Sequence, residues 1–278
     1  ILFSFIFLFF LGLFFSFSST SLLAGERLDK NFYFFFSKHF FFVILSIILM
    51  FFVSFVESTF LKKTIFPLFV FCFILLLLVP IIGIEVKGAK RWLDFYFFRL
   101  QPIELVKPLF ILITAQILSM EKIKKTNTSY IFSFLLLVSI VFFLANQPDI
   151  GQSILLITTW IATVFVSGIN IFYIIGIFVV ILIFISSLLI IFPDKFGYIT
   201  NRLISFVDPS KGDNSQAEKA LEAIRLGGLK GQGMGEGILK DSVPEAHTDY
   251  IIAVITEEFG SIISILIIYI FLYIAFRI

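Results

Sequence analysis

The sequence predicts an all-α protein, a polytopic transmembrane helical bundle with about eight spans and one long extracytoplasmic loop. Of the 278 residues, 59% are hydrophobic and 14% are charged, and the mean hydropathy is +1.08. A soluble domain is about half apolar and about a quarter charged. The apolar residues also form long runs that do not alternate with polar ones, which is not the pattern of membrane-spanning strands. The net charge of +2 is too small to predict a nucleic-acid partner.

Eight apolar runs are candidates for spans, each of which needs roughly 20 mostly apolar residues. They cover residues 1–19, 39–56, 64–84, 102–120, 130–145, 151–168, 170–192 and 250–276. Because the first and last runs coincide with the chain ends, we expect residues 1–278 to be a single but incomplete membrane domain.

Lysines in two short loops predict the orientation. Lys62-Lys63 follows the second span, and residues 121–125 with their lysines follow the fourth. Short loops rich in lysine and arginine stay in the cytoplasm. Both loops are therefore assigned to the cytoplasmic side, which makes residues 193–249 a large extracytoplasmic loop.

Within that loop, residues 216–226 predict an amphipathic helix with Leu221, Ile224 and Ala217 on one side. Gly227-Gly228 would end the helix. The alternating glycines of residues 231–237 are interpreted as a hinge, because neither a preceding strand nor a closing Lys-Ser/Thr supports a phosphate loop.

Polar residues at the start of the fourth span have two open interpretations. Glu104 and Lys107 are three residues apart and share a helix face. They could form a structural ion pair, or Lys107 or Arg91 could offer a cation to a substrate phosphate. Trp92 alone is typical of a residue at the membrane interface. Asp149 is predicted to cap the sixth helix.

The polar hexapeptide of residues 244–249 precedes the last apolar run. One histidine, His247, with scattered carboxylates is weak evidence for zinc, and no hydrolase motif is present. One role open to Asp249 is purely structural, as the cap of the eighth helix. A carboxylate at the outer interface also suits a general base that acts on a lipid-borne substrate.

Four blocks of this sequence resemble the SEDS family (shape, elongation, division and sporulation) of membrane peptidoglycan glycosyltransferases. They are Gly-Ala-Lys-Arg-Trp at 88–92 with residues 101–107, Gln-Pro-Asp-Ile-Gly at 147–151, residues 202–209, and residues 227–250. The Pro-Glu-Ala-His-Thr-Asp form at 244–249 looks more like the FtsW (division) branch than the RodA (elongation) branch. The resemblance implies ten spans, of which this chain would lack the last two.

The resemblance implies polymerisation of lipid II, the undecaprenyl-diphosphate disaccharide-peptide, for septum synthesis at the outer face of a bacterial cytoplasmic (inner) membrane. It implies Asp249 as the catalytic base. The implied substrate-binding residues are Arg91, Trp92, Gln101, Glu104, Lys107, Glu245, His247 and Thr248. Lys107, Arg91 or a divalent cation (Mg²⁺ or Mn²⁺) would supply positive charge to the departing diphosphate.

The implied partners are a class B penicillin-binding protein transpeptidase, divisome proteins and membrane lipid, without nucleic acid. Two alternatives stay open. A flippase that transports lipid II would need cations and polar groups in a cavity, but no base at the outer interface. A non-catalytic scaffold would only recruit a transpeptidase.

Overall fold

The computed structural model describes residues 1–17, 33–86, 88–96, 98–119, 128–147, 149–173, 215–239, 242–243 and 250–278, with scattered positions between 175 and 191. These residues fall into two compact units, each described by itself below. One contains residues 1–55 and 191–278, and the other contains residues 56–190.

The described residues are mainly helical, which confirms the predicted fold class. The helices are α1 (Leu2–Phe15), α2 (Tyr33–Ser54), α3 (Ser58–Ile82), α4 (Pro102–Ser119), α5 (Thr128–Asn146), α6 (Ile150–Val166), α7 (Ser215–Gly227), α8 (Ile251–Phe259) and α9 (Ser261–Arg277). Of the predicted span 170–192, the described residues from 171 onwards are all helical.

Four described helices are long and apolar enough to cross a membrane, namely Phe36–Ser54 within α2, and α3, α4 and α5. Three shorter apolar helices are α1, α6 and α9. The eighth predicted span is corrected, because residues 250–276 form two helices that meet at Gly260. Gly260 has φ 85° and ψ 164°, a backbone conformation that essentially only glycine adopts.

A small antiparallel sheet adds to the predicted helical architecture. Its strands are β1 (Ile84–Val86), β2 (Ala89–Asp94) and β3 (Arg99–Leu100), in the order β1-β2-β3. Gly88, with φ +77°, lies between the first two strands, a conformation that favours glycine. The sheet links α3 to α4 and carries the predicted site residues Arg91 and Trp92.

The core of the 56–190 unit lies around α4, which packs against α3, α5, α6 and β2. Its most deeply buried side chains are Leu76, Val79, Ile103, Val106, Phe110, Ile140, Leu144 and Val164. Inside this core, the Trp160 indole N–H donates to the Ser133 hydroxyl at 3.2 Å. Central packing of α4 fixes the first two turns of the helix, where Glu104 and Lys107 lie.

One core cluster of the other unit joins α7 to α8. Ala220 and Ala223 of α7 pack against Ala253 and Val254 of α8. The amphipathic helix is confirmed, and Ile224 of its predicted apolar face packs against this core. Leu221 and Ala217 were wrongly placed on that face, since both are exposed. Small alanine side chains occupy the buried face because they allow the two helices to approach closely.

The lysines used to predict orientation need one correction. Lys62 and Lys63 lie within the first two turns of α3, whose N-cap is Glu57, and not in a loop between helices. Residues 121–125 lie outside the described residues. The orientation itself therefore stays a prediction.

We expect a cysteine introduced as Ser210→Cys, in the predicted outer loop, to react with a membrane-impermeant thiol reagent in intact spheroplasts. The native Cys72 is buried at 2% exposure and should give little background. Thr126→Cys, in the predicted cytoplasmic loop, is the matched control and should be protected. Labelling at Thr126→Cys with protection at Ser210→Cys would invert the topology.

Candidate functional site

Three polar side chains on α4 and α6 bind one another at the start of both helices. The Lys107 ammonium lies 2.7 Å from Glu104 Oε2 and donates to Gln152 Oε1 at 2.9 Å. Gln152 in turn donates through Nε2 to Glu104 Oε1 at 3.1 Å. The three side chains therefore close a ring that ties α4 to α6.

Asp149 organises a second group of contacts next to this ring. It is the N-cap of α6 and accepts from the Gln152 backbone N–H, which confirms the predicted capping role. Its Oδ2 also accepts from Gln101 Nε2 at 3.4 Å and lies 3.8 Å from Arg91 Nε. Arg91 Nε donates to the Gln147 carbonyl at 3.0 Å, which joins the sheet to the α5–α6 turn.

The formal charges of this polar network cancel, because Lys107 and Arg91 are opposed by Glu104 and Asp149. An anion would therefore be recognised by hydrogen-bond donors and not by a net positive charge. An ammonium group has three N–H donors, and the described residues accept two from Lys107. The Lys107 side chain is 19% exposed, so its third donor has access to a ligand.

The structure brings together Arg91, Gln101, Glu104 and Lys107, four of the predicted substrate-binding residues. Trp92 lies half-buried on the same strand as Arg91, paired with Ile84 across the sheet. Sequence reasoning did not identify Gln152 as a member of this group. The signal in the sequence that could have identified Gln152 was its spacing of three residues from Asp149, because that spacing places both side chains at the start of α6.

The predicted base Asp249 and the predicted binding residues Glu245, His247 and Thr248 lie outside the described residues. The described residues on either side are Val243 and Tyr250. Tyr250 is the N-cap of α8, without a side-chain capping bond. The capping alternative for Asp249 concerns a residue outside the described ones and stays a prediction.

Glycines make a close backbone junction between the loop after α7 and the break between α8 and α9. A Cβ atom added to Gly227 would lie 2.0 Å from the Thr256 carbonyl oxygen. One added to Gly231 would lie 2.2 Å from the Glu258 carbonyl oxygen. The loop therefore rests directly on the end of α8, instead of forming the open hinge predicted from its glycines.

Comparison with known proteins decides the family. The model of the cell cycle protein family, which groups FtsW, RodA and SpoVE, matches residues 1–278. The chain belongs to the SEDS family. As SEDS proteins are, it is a multi-pass membrane protein.

Curated SEDS relatives of this chain are named for one activity. A "Probable peptidoglycan glycosyltransferase FtsW" of Caulobacter vibrioides is 33% identical over 228 residues, which cover 82% of this chain and 57% of that protein. A protein of the same name from Geobacter metallireducens is 35% identical over 219 residues, which cover 76% and 57% respectively. The chain spans about half the length of the curated relatives it matches.

Two solved structures share the SEDS fold of this chain. One, described as "Structural coordination of polymerization and crosslinking by a peptidoglycan synthase complex", has a TM-score of 0.74 and 22% identity, over 98% of this chain and 75% of that one. The other is a variant of the Rod shape determining protein RodA of Thermus thermophilus, with a TM-score of 0.52 and 21% identity over 83% and 60%. These likenesses concern the fold alone.

Proposed function

We propose that this SEDS protein is a peptidoglycan glycosyltransferase that polymerises lipid II into glycan strands. The observation that carries the proposal is the family match over the whole chain. It is supported by 33% identity to a relative named as a peptidoglycan glycosyltransferase of the FtsW type. The Pro-Glu-Ala-His-Thr-Asp form of residues 244–249 favours the division branch and a role in septum synthesis.

The proposed reaction is a single displacement in which Asp249 acts as general base. Asp249 takes the proton from the 4-hydroxyl of the acceptor sugar, and that oxygen bonds to the anomeric carbon of the other lipid II molecule. The bond from the anomeric carbon to the diphosphate oxygen breaks, and the undecaprenyl diphosphate leaves with the electron pair. An α-linked donor then gives a β-linked product.

The leaving diphosphate gains negative charge as the bond breaks, and donors that are held in place before the reaction stabilise that charge. Lys107 suits this role because Glu104 and Gln152 fix its ammonium group while one donor is left over. Arg91 is the second candidate. A divalent cation (Mg²⁺ or Mn²⁺) at the departing diphosphate stays part of the proposal, although the described residues include no group of three or more His, Cys, Asp or Glu side chains that could hold one.

We further propose that the protein works in the bacterial inner membrane beside a class B penicillin-binding protein transpeptidase and other divisome proteins. The similar solved structure supports a transpeptidase partner, since its description couples polymerization with crosslinking. Glycan strands need a crosslinking enzyme to become a wall, which is the chemical reason for such a pairing.

The experiment that separates this function from the flippase alternative reconstitutes the intact protein in liposomes with fluorescent lipid II. We expect glycan polymer to form from lipid II in the outer leaflet, without faster movement of lipid II between leaflets. Faster transbilayer movement without polymer would establish the flippase. Neither activity, in protein that still binds a transpeptidase, would establish the scaffold.

We expect Lys107→Ala to retain folded yield and to lower the polymerisation rate by about 10²-fold, the usual effect of removing one donor from a charge-stabilising site. Glu104 is 49% exposed and keeps Gln152 as a donor, so its charge is not stranded. Lys63→Ala, on α3 in the same unit, is the matched control. A reduced folded yield of Lys107→Ala would instead favour the structural ion pair. A wild-type rate with normal folded yield would contradict both the structural ion pair and the role of Lys107 at the diphosphate.

A further inference from the structure

Glu257 is a carboxylate buried in the last turn of α8. The residue is 0% exposed. Its Oε1 atom accepts the Leu239 backbone N–H at 2.6 Å. Its Oε2 atom is also buried, and the described residues offer it no hydrogen-bond partner. Glu257 is therefore a buried acid with one protein donor.

Packing alone does not account for an acid at this position. A buried polar group is costly unless hydrogen bonds replace its contacts with water, and a leucine of similar volume would fill the space without that cost. The hydrogen bond that the carboxylate makes is therefore the reason we assign to an acid at this position. It is made to a loop, across 18 residues of sequence, and not to a neighbouring helix.

The same loop is bound at a second point on the end of α8. Gln232 N donates to the Glu257 carbonyl at 2.8 Å, and Gly233 N donates to the Glu258 carbonyl at 3.0 Å. The loop is therefore bound to Glu257 at two points. The Glu257 carbonyl accepts from Gln232 N–H, and the Glu257 carboxylate accepts from Leu239 N–H. The carboxylate adds a backbone hydrogen bond at Leu239, whose side chain also packs against the α7–α8 core.

Leu239 is the last described residue before a turn that leads towards the polar hexapeptide. The Ser242 and Val243 N–H groups donate to the Leu239 carbonyl at 2.8 and 3.1 Å. Val243 is fully buried in the core between α7 and α8. Tyr250 is the N-cap of α8. The described residues on both sides of 244–249, Val243 and Tyr250, therefore both contact α8.

We propose that Glu257 is a positioning residue for the polymerisation reaction. Its carboxylate holds Leu239 on α8 and so fixes the approach of the chain to the segment that carries Asp249. This inference rests on the proposed function. Glu257 acts as a hydrogen-bond acceptor and not as a base or a charge. An uncharged acceptor of the same shape should therefore replace it.

The test compares Glu257→Gln with Glu257→Leu in the intact protein. Glutamine keeps an oxygen for the Leu239 N–H, so we expect a kcat within about threefold of wild type. Leucine fills the volume without an acceptor, and we expect kcat to fall by about 10²-fold, the scale of a small misplacement of reacting groups. KM for lipid II should change little in either variant. The controls are Glu236→Gln and Glu236→Leu, in an exposed part of the same loop, and both should match wild type.

A second variant removes the same hydrogen bond from its other side. Leu239→Pro deletes the N–H donor and leaves Glu257 intact, and it should reproduce the loss of kcat in protein that still folds. Equal inactivity of Glu257→Gln and Glu257→Leu would overturn the proposal in favour of a charged role. Loss of folded protein in both Glu257→Leu and Leu239→Pro would overturn it in favour of a role in folding.

The outcome for this inference can be told apart from the outcome for the proposed function. An inactive wild type, under conditions where the protein is folded, would count against the glycosyltransferase itself. An active wild type whose Glu257→Leu variant is equally active would leave the glycosyltransferase in place and end the positioning role alone.

Discussion

Asp249→Asn is expected to lower the rate of glycan polymerisation by about 10²–10⁴-fold, the usual contribution of a positioned general base. Asparagine has nearly the same size and polarity, but it cannot accept a proton at neutral pH. Asparagine caps a helix about as well as aspartate, so the substitution should cost little folding free energy even where residue 249 contributes to capping α8. Folded yield and thermal midpoint should therefore match wild type while the initial rate from lipid II falls.

The matched control is Glu222→Gln, an acid-to-amide change on the exposed side of α7, which should leave the rate unchanged. A base acts in its deprotonated form, so the wild-type rate should fall as the pH is lowered through the pKa of the Asp249 carboxyl group. The residual rate of Asp249→Asn should not show that acid limb. A wild-type rate in the asparagine variant would remove Asp249 from the mechanism.

Gly260→Ala is expected to give a large loss of stability for a substitution that adds a single methyl group. The added Cβ would lie 2.2 Å from the Leu229 carbonyl oxygen and 2.6 Å from the Lys230 carbonyl carbon. The backbone conformation at φ 85° and ψ 164° adds strain of about 1–3 kcal/mol for any residue other than glycine. Both partners are backbone atoms, which cannot move aside as a side chain would.

The measurement is the thermal unfolding midpoint of purified protein in detergent, together with folded yield. Gly151→Ala is the matched control, because its Cβ meets no atom within 4 Å. Gly151 lies in α6, where alanine is favoured over glycine by about 1 kcal/mol. We expect Gly260→Ala to unfold well below Gly151→Ala. Equal midpoints would show that the junction between the loop and α8 is not tightly packed.

Hydrophobic length predicted most of the helices, since a run of about 20 apolar residues has few other solutions in a membrane. It could not predict the break at Gly260, because one glycine inside an apolar run is also tolerated in a continuous helix. The β1–β3 sheet was missed for a related reason. Its strands are two to six residues long, too short for a period to be recognised.

The candidate site was predictable where its members are close in sequence. The spacing of Glu104 and Lys107 indicated their contact directly, whereas Gln152 reaches them from another helix, 45 residues after Lys107. Glu257 was harder still to interpret. Its only signal was an acid within an apolar run, and its partner Leu239 is defined by tertiary packing that no local pattern encodes.

We propose that this SEDS protein joins lipid-linked sugars by one displacement that inverts the anomeric centre. The most direct measurement is the linkage in the polymer that the intact protein makes from lipid II, tested with a muramidase that cleaves only β-(1→4) bonds. We predict complete digestion to small fragments. A polymer that resists the muramidase and retains the α-configuration of the donor would contradict this mechanism, because a single displacement from the face opposite the diphosphate must invert the anomeric centre.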